Sequence, residues 1–560
     1  MSNKTLPAYE ALALDIKAMG IEVVFGLMSD DTALFVTTLD AVGVKFHGAR
    51  HENTAICMAE GYAAASGRLG VAIIGRGPAT ANAIHAATYA QRAGSRVLLI
   101  FGDQPTHTPA DAHGPDNKRF NTSLALQAAG FSPFIPTSSH NVRQALADAV
   151  AATGRGAAAL LLPADVQLGQ VDMERSAAVI VAAVPAKPQP PRAAAVAAAR
   201  ALLENSRRPL IIAGQGAFHA GARDALVALA DHLGAALATT MKAKDMFRGH
   251  PMDCGIVGSF SHAGGRRLIE QADCVLAFGA GMNQRTTSKG TSIPRDAPLI
   301  HVDRVRSSIG RYTYADVAMV GDAKLAAQAL VEALPARTAA QKEFHAPALR
   351  QWLDNWDLAN DFKPAHTPRT IDTRSAGLAL DKLLPRDRNV VYDAGNFLQV
   401  VPYISAPDPS RWKQAGDFAS IGMGFGVAMG FARANLERTT LFVVGDGAFL
   451  MTLGELETVA RENIPLVIAV LNDRAYGAET HFLAQRDMPV GMSLFPEVDF
   501  APVAEAFGFQ AATVRTMEEL NALAPMLARP DGPILLDVKI NGAIAAPFHH
   551  DGAAQVSTAI

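Results

Sequence analysis

Short, almost unbroken apolar runs recur along the whole chain, separated by alanine-rich stretches with helical spacing. Val71–Ile74 and Val97–Phe101 come first. Pro209–Ala213, Ala236–Thr239, Cys274–Phe278 and Pro298–Val302 follow, and Asn389–Tyr392, Thr440–Val444, Leu466–Leu471 and Pro533–Val538 close the series. A strand that is apolar on both faces must be covered on both faces, which is the condition of a parallel sheet between two helix layers. Parallel neighbours also need a crossover long enough to hold a helix. The alternation therefore restricts the chain to the α/β class, with doubly wound parallel sheets.

The recurrence falls into three blocks of similar size, not into a short-period repeat. The N-terminal domain is expected at 1–183, the central domain at 190–335 and the C-terminal domain at 371–545. Ala182–Ala195, AAVPAKPQPPRAAA, carries four prolines and reads as an extended linker. The polar, tryptophan-containing segment Gln341–Thr370 reads as a helix followed by a linker, and Asp551–Ile560 as a loose tail.

Composition narrows the function classes. With 560 residues, 49% of them hydrophobic and 18% charged, the chain suits three or four well-buried domains. A net charge of −3 advertises neither nucleic acid nor an anionic membrane as partner. Cys57, Cys254 and Cys274 share no metal-type spacing and read as buried thiols in a reducing compartment. No signal pattern opens the chain, and no apolar run approaches the roughly 20 residues of a membrane span. The expected location is cytoplasmic.

The chemistry concentrates in TTLFVVGDGAFLMTLGELETVARENIPLVIAVLNDRAYGAE, Thr439–Glu479. Leu441–Val444 reads as a buried strand, and Gly445 and Gly447 let the backbone turn and approach a ligand closely. Asp446 then stands at the carboxyl end of a parallel strand, where ligands bind in open α/β sheets. A second strand, Leu466–Leu471, brings Asn472 and Asp473 to the same edge. Two carboxylates plus a backbone carbonyl can hold Mg²⁺ and leave positions open for diphosphate oxygens.

GDG followed after 24 residues by Asn-Asp resembles the GDG…NN motif of the thiamine-diphosphate enzymes of the acetolactate synthase, pyruvate decarboxylase and benzaldehyde lyase superfamily. The resemblance implies Mg²⁺ ligands at Asp446, Asp473 and the Ala475 carbonyl. The family's second Asn is Asp473 here, which keeps a hard oxygen and adds a negative charge. GARHENTAICMAEGYAAASGRLGV, Gly48–Val71, resembles the pyrimidine-binding segment of the same superfamily and implies that Glu52 is the carboxyl group that controls the cofactor's tautomer. FASIGMGFGVAMGFA, Phe418–Ala432, resembles the segment before GDG. Ile421, 25 residues before Asp446, is then the apolar wedge that bends the cofactor, and the Ala419 carbonyl accepts from its 4′-amino group. In the family the two halves of a site come from different subunits, which implies a homodimer or homotetramer.

The reaction implied is carbon–carbon bond formation or cleavage through a C2 ylid and an enamine, on small-molecule 2-keto acids and aldehydes, as in acetolactate synthase. A simple 2-keto acid decarboxylase, a 2-hydroxyacyl-CoA lyase and a non-catalytic cofactor-binding or regulatory protein are the alternatives. Asp30 sits where pyruvate decarboxylases carry an active-site Asp, or else caps a helix. Glu479, seven residues after Asn472, matches a catalytic Glu of those decarboxylases. Their paired His is not evident; His107 and His113 lie in a loop without the matching spacing. Arg76 faces an anionic substrate or solvent, and Asn396 stands where relatives place a polar group near the diphosphate. The central block has the fold that binds FAD in acetolactate synthase and ADP in oxalyl-CoA decarboxylase. It lacks a GxGxxG fingerprint in proper context, so FAD is open but unsupported.

Overall fold

In a computed structural model the structure describes residues 5–108, 117–176 and 187–550. Besides a two-stranded antiparallel pair, Thr5–Pro7 with Gln170–Asp172, three larger sheets carry the described chain, and every strand pair inside these three is parallel. The first has five strands in the order Lys45–Gly48, Val23–Gly26, Gly70–Ile74, Val97–Asp103, Ala158–Pro163. The central sheet has six: Asp253–Ile256, Ala236–Thr239, Pro209–Ala213, Cys274–Phe278, Leu299–Asp303, Val317–Val320. The third also has six: Trp412–Gln414, Asn389–Tyr392, Thr440–Gly445, Leu466–Asn472, Ile534–Lys539, Gln510–Val514. Helices cover both faces of each, so the apolar runs are buried throughout, as in Val71–Ile74 and Leu466–Leu471. The fold is α/β, with three doubly wound parallel sheets.

Details at the connections differ from the expectation. Helix Ala193–Asn205 begins inside the proline-rich linker, so of its described residues only Lys187–Arg192 lack regular structure. Gln341–Thr370 holds one short helix, Pro347–Asp354, among single 3-10 turns. Asp551–Ile560, called a loose tail above, lies outside the described residues.

The first and third sheets of one chain are joined by a helix pair, Glu52–Ser66 against Gly424–Arg433. Close approach explains the small residues on both. A Cβ on Gly61 would stand 2.1 Å from the Val427 carbonyl oxygen, and one on Gly430 would stand 2.0 Å from that of Met58. Polar ties reinforce the seam. The Arg50 amide donates to both carboxylate oxygens of Glu455 at 3.1 Å, and His47 Nδ1 lies 2.7 Å from Glu462 Oε2. Fully buried Glu60 accepts from Tyr89 at 3.0 Å, Ser95 at 2.6 Å and Lys413 at 2.6 Å, which satisfies a charge that burial would otherwise penalise.

All three cysteines are free and buried, and burial pushes their thiols up, away from reactivity. Among the described residues no helix is long and apolar enough to cross a membrane.

Candidate active site

Strand Thr440–Gly445 pairs with Leu466–Asn472 so that Gly445 lies opposite Leu471. The register delivers Asp446 and Asp473 to one sheet edge, one residue beyond each strand. Asp446 opens the short helix Asp446–Leu450 and is 3% exposed. Its carboxyl is hydrogen-bonded to that of Asp473, yet its Oδ1 is buried with no partner. Burial, and then the facing Asp473 carboxylate, push Asp446 well above the usual carboxylate range. Burial also pushes Asp473 up, while hydrogen bonds from Asp446, the Ala475 amide and Asn396 act the other way.

A buried and a partly buried carboxyl group in contact, the buried one with an orphaned oxygen, fit a hard divalent cation, whose charge would offset both penalties. Among the described residues no group of three or more His, Cys, Asp or Glu gathers for a metal. A cation here would take its other ligands from backbone carbonyls, water or ligand oxygens. Arg474 adopts φ +59°, a left-handed turn that reverses the chain and leaves Ala475 lining the same cavity. Gly477 is required beside it, since a Cβ there would meet Asp473 Oδ2 at 2.6 Å.

Asn472 faces away. Its Nδ2 donates to Asp537 Oδ1 at 3.0 Å and to the Val498 carbonyl at 3.2 Å, which ties the strand end to its neighbour. Asn396 is buried on the cavity wall. It donates to the Ile544 carbonyl at 3.0 Å and accepts from the Ala546 amide at 2.8 Å, so it fastens the C-terminal segment over the site. Glu479 is exposed on helix Gly477–Ala484 and also lines the cavity.

That cavity has a volume of about 1270 Å³. Gly445, Asp446, Gly447 and Asp473 form its floor, and Ala419 and Ile421 enter from the turn before helix Gly424–Arg433. Ala419 has φ +52° and Gly422 φ +86°, so this turn is tightly wound. The far end reaches the carboxyl ends of the central strands at Gln215, Thr240 and Asp303. There the order switches between Pro209–Ala213 and Cys274–Phe278, the usual place for a ligand in such sheets.

No described residue of the first sheet or its helices lines the cavity. Glu52 is 7% exposed and accepts from Asn82 Nδ2 at 3.1 Å, with His51 Nδ1 4.0 Å away. Asp30 and Glu52 follow neighbouring strands whose ends, Gly26 and Gly48, pair directly. Asp30 is exposed and ion-paired with Lys118, and that hydrogen bond pulls it down to about 2. Its capping alternative fails, because helix Ala33–Ala41 begins after Thr32. Asp31 holds the loop instead: its carboxylate accepts from the Arg76 amide at 3.0 Å and from Ser29 Oγ at 2.6 Å. His107 is exposed with Nδ1 3.6 Å from Asp165, and His113 lies outside the described residues.

Sequence reasoning missed Asp393. It follows strand Asn389–Tyr392, is fully buried, and braces the Ile421 turn. It also missed Phe548, which lines the cavity and packs edge-on against Phe260. The partners of both lie far off in sequence.

Three family models match consecutive parts of the chain: the thiamine pyrophosphate enzyme N-terminal TPP binding domain at 7–125, the central domain at 196–330 and the C-terminal TPP binding domain at 393–538. A probable acetolactate synthase large subunit of Methanocaldococcus jannaschii is 27% identical over 96% of this chain and 93% of its own. An acetolactate synthase large subunit of Parasynechococcus marenigrum is 27% identical over 96% and 88%. A sulfoacetaldehyde acetyltransferase of Rhodobacter capsulatus is 27% identical over 97% and 95%.

Proposed function

Since the chain belongs to the thiamine pyrophosphate enzymes, we propose that it is a carboligase or lyase of the acetolactate synthase type, dependent on thiamine diphosphate and Mg²⁺. Its substrates are 2-keto acids and aldehydes. The carrying observation is the Asp446–Asp473 contact, with its orphaned Oδ1, on the floor of a cavity that Ala419 and Ile421 also enter.

When bound, the cofactor supplies a carbon nucleophile that makes or breaks the bond next to a carbonyl. The residues do the rest. Asp446, Asp473 and the Ala475 carbonyl hold the cation. The amides at Gly445 and Gly447 and the side chain of Asn396 flank the diphosphate. Ile421 offers a bulky apolar surface to the middle of the cofactor, where a polar side chain would be buried unpaired. Glu52, held by Asn82, keeps a proton on the pyrimidine ring. Glu479, on the wall, and Asp30 handle protons of substrate or acceptor. FAD, if taken up, belongs at the central strand ends, and the visible absorbance spectrum of purified protein reports it.

A second copy of the chain completes the site. The support is that Glu52 and Asp30 share one sheet edge while no described residue of their sheet lines the cavity of their own chain. Met451 (57% exposed) and Tyr476 (40%) border the cavity with apolar surface that a partner would cover.

The test is NMR product analysis with thiamine diphosphate, Mg²⁺ and a panel of 2-keto acids, with and without added aldehyde. Hydroxyketone or acetohydroxy acid products support the proposal. Free aldehyde as sole product replaces it with simple decarboxylation. No turnover of any donor, with cofactor bound, points to an acyl-CoA substrate.

A further inference from the structure

The turn Ala419–Met423 has no regular structure of its own to hold it, yet it brings Ala419, Ser420 and Ile421 to the cavity. What fixes it is a carboxylate from another strand. Asp393 is completely buried. Its two oxygens accept from the Gly422 amide, each at 3.1 Å. Oδ2 also accepts from the Gly424 amide at 2.9 Å, and Oδ1 from the Ala394 amide at 2.6 Å. Gly424 and Gly422 are otherwise free amides at the start of helix Gly424–Arg433, so the charge sits where the helix end favours it.

We infer that Asp393 is a positioning residue: by gripping the Gly422 and Gly424 amides it sets the height at which Ile421 and the Ala419 carbonyl meet the bound cofactor. The inference rests on the thiamine-diphosphate reading above. Both carboxylate oxygens are used as acceptors. Asparagine has one acceptor, and its NH₂ would confront a backbone N–H, so the turn loses part of its grip with little change in volume. Among the described residues no hydrogen bond links Asp393 to Asp446 or Asp473, so that end keeps its diphosphate and cation groups. The two ends of the cofactor site are thus separable by mutation.

The experiment measures three quantities on full-length wild type, Asp393→Asn and Gly424→Ala: affinity for thiamine diphosphate with Mg²⁺, affinity for Mg²⁺ with inorganic pyrophosphate, and hydrogen–deuterium exchange at C2 of the bound cofactor. Gly424→Ala keeps the carboxylate but puts a Cβ 2.8 Å from Asp393 Oδ2, so it dislodges the same contact from the other side. Both variants are expected to bind thiamine diphosphate at least tenfold more weakly and to exchange C2 more slowly, with pyrophosphate affinity within threefold of wild type. If both ligands weaken in parallel with a fall in Tm, Asp393 is merely structural and the inference is overturned. Wild-type affinity and exchange in both variants overturn it as well. A wild-type protein that takes up no thiamine diphosphate removes this inference together with the functional reading, whereas the other two outcomes leave that reading standing.

Discussion

Asp446 and Asp473 face each other across neighbouring strand ends of one sheet, whereas Glu52 stands at the edge of another with Asn82 as its hydrogen-bond partner. The first pair is assembled by register inside a single chain, and its cost is electrostatic: two carboxyl groups in contact, that of Asp446 buried. Glu52 instead accepts a hydrogen bond from the neutral amide of Asn82. The difference teaches that one half of the proposed site is assembled by strand register within a single chain, while Glu52 lies on a sheet none of whose described residues lines that chain's cavity.

The contrast breaks most sharply at Asp446. Asp446→Asn is expected to lower turnover about a thousandfold through lost cation binding, with cofactor uptake lost in a fluorescence titration. Glu52→Gln is expected to slow turnover about a hundredfold and leave cofactor affinity nearly unchanged. Equal loss of affinity in both variants would erase the distinction between the halves. Mixing the two inactive variants after subunit exchange is expected to restore about a quarter of wild-type activity, since half the dimers are mixed and each mixed dimer has one intact site. No recovery would mean that each chain completes its own site.

Smaller effects sharpen the frame behind the halves. Gly430→Ala, which forces a Cβ against the Met58 carbonyl, is expected to destabilise the protein by about 3 kcal/mol in urea unfolding. Asp393 supplies a pH signature. Burial pushes it up to about 6. Between about pH 4 and 6 the folded chain therefore keeps a proton that the unfolded chain has released, and stability falls as pH rises through that window. The fall is up to about 3 kcal/mol. Urea midpoints of cofactor-free wild type should drop across the window relative to those of Asp393→Asn; parallel curves would contradict the assignment.

The fold was readable because its signals are local. Apolar runs such as Leu466–Leu471 mark strands buried on both faces, and glycine at 445 and 447 marks the turn after one of them. The Asp446–Asp473 meeting was readable too, because the right-handed crossover makes consecutive parallel strands neighbours. Asp393 was not, since its meaning depends on amides 29 and 31 residues away. Nor does the sequence distinguish Asp30 from Asp31. Only the loop's path decides that one pairs with Lys118 at the surface and the other holds the Arg76 amide. The size of the cavity also escaped, because its far wall comes from the central sheet.

Gly61 and Gly430, each so close to the other helix that an added Cβ would stand 2.0–2.1 Å from one of its carbonyl oxygens, have a consequence for how this chain can diverge. Each sheet can drift on its own, exchanging one apolar side chain for another of similar volume. The seam between the helices cannot, because any heavier residue there collides with main chain that has nowhere to go. A chimera that swaps only the N-terminal or only the C-terminal block with that of a relative inherits one face of the seam from each parent. Grafts that carry both helices together keep the match, so the heritable unit here runs across two blocks and not along either one.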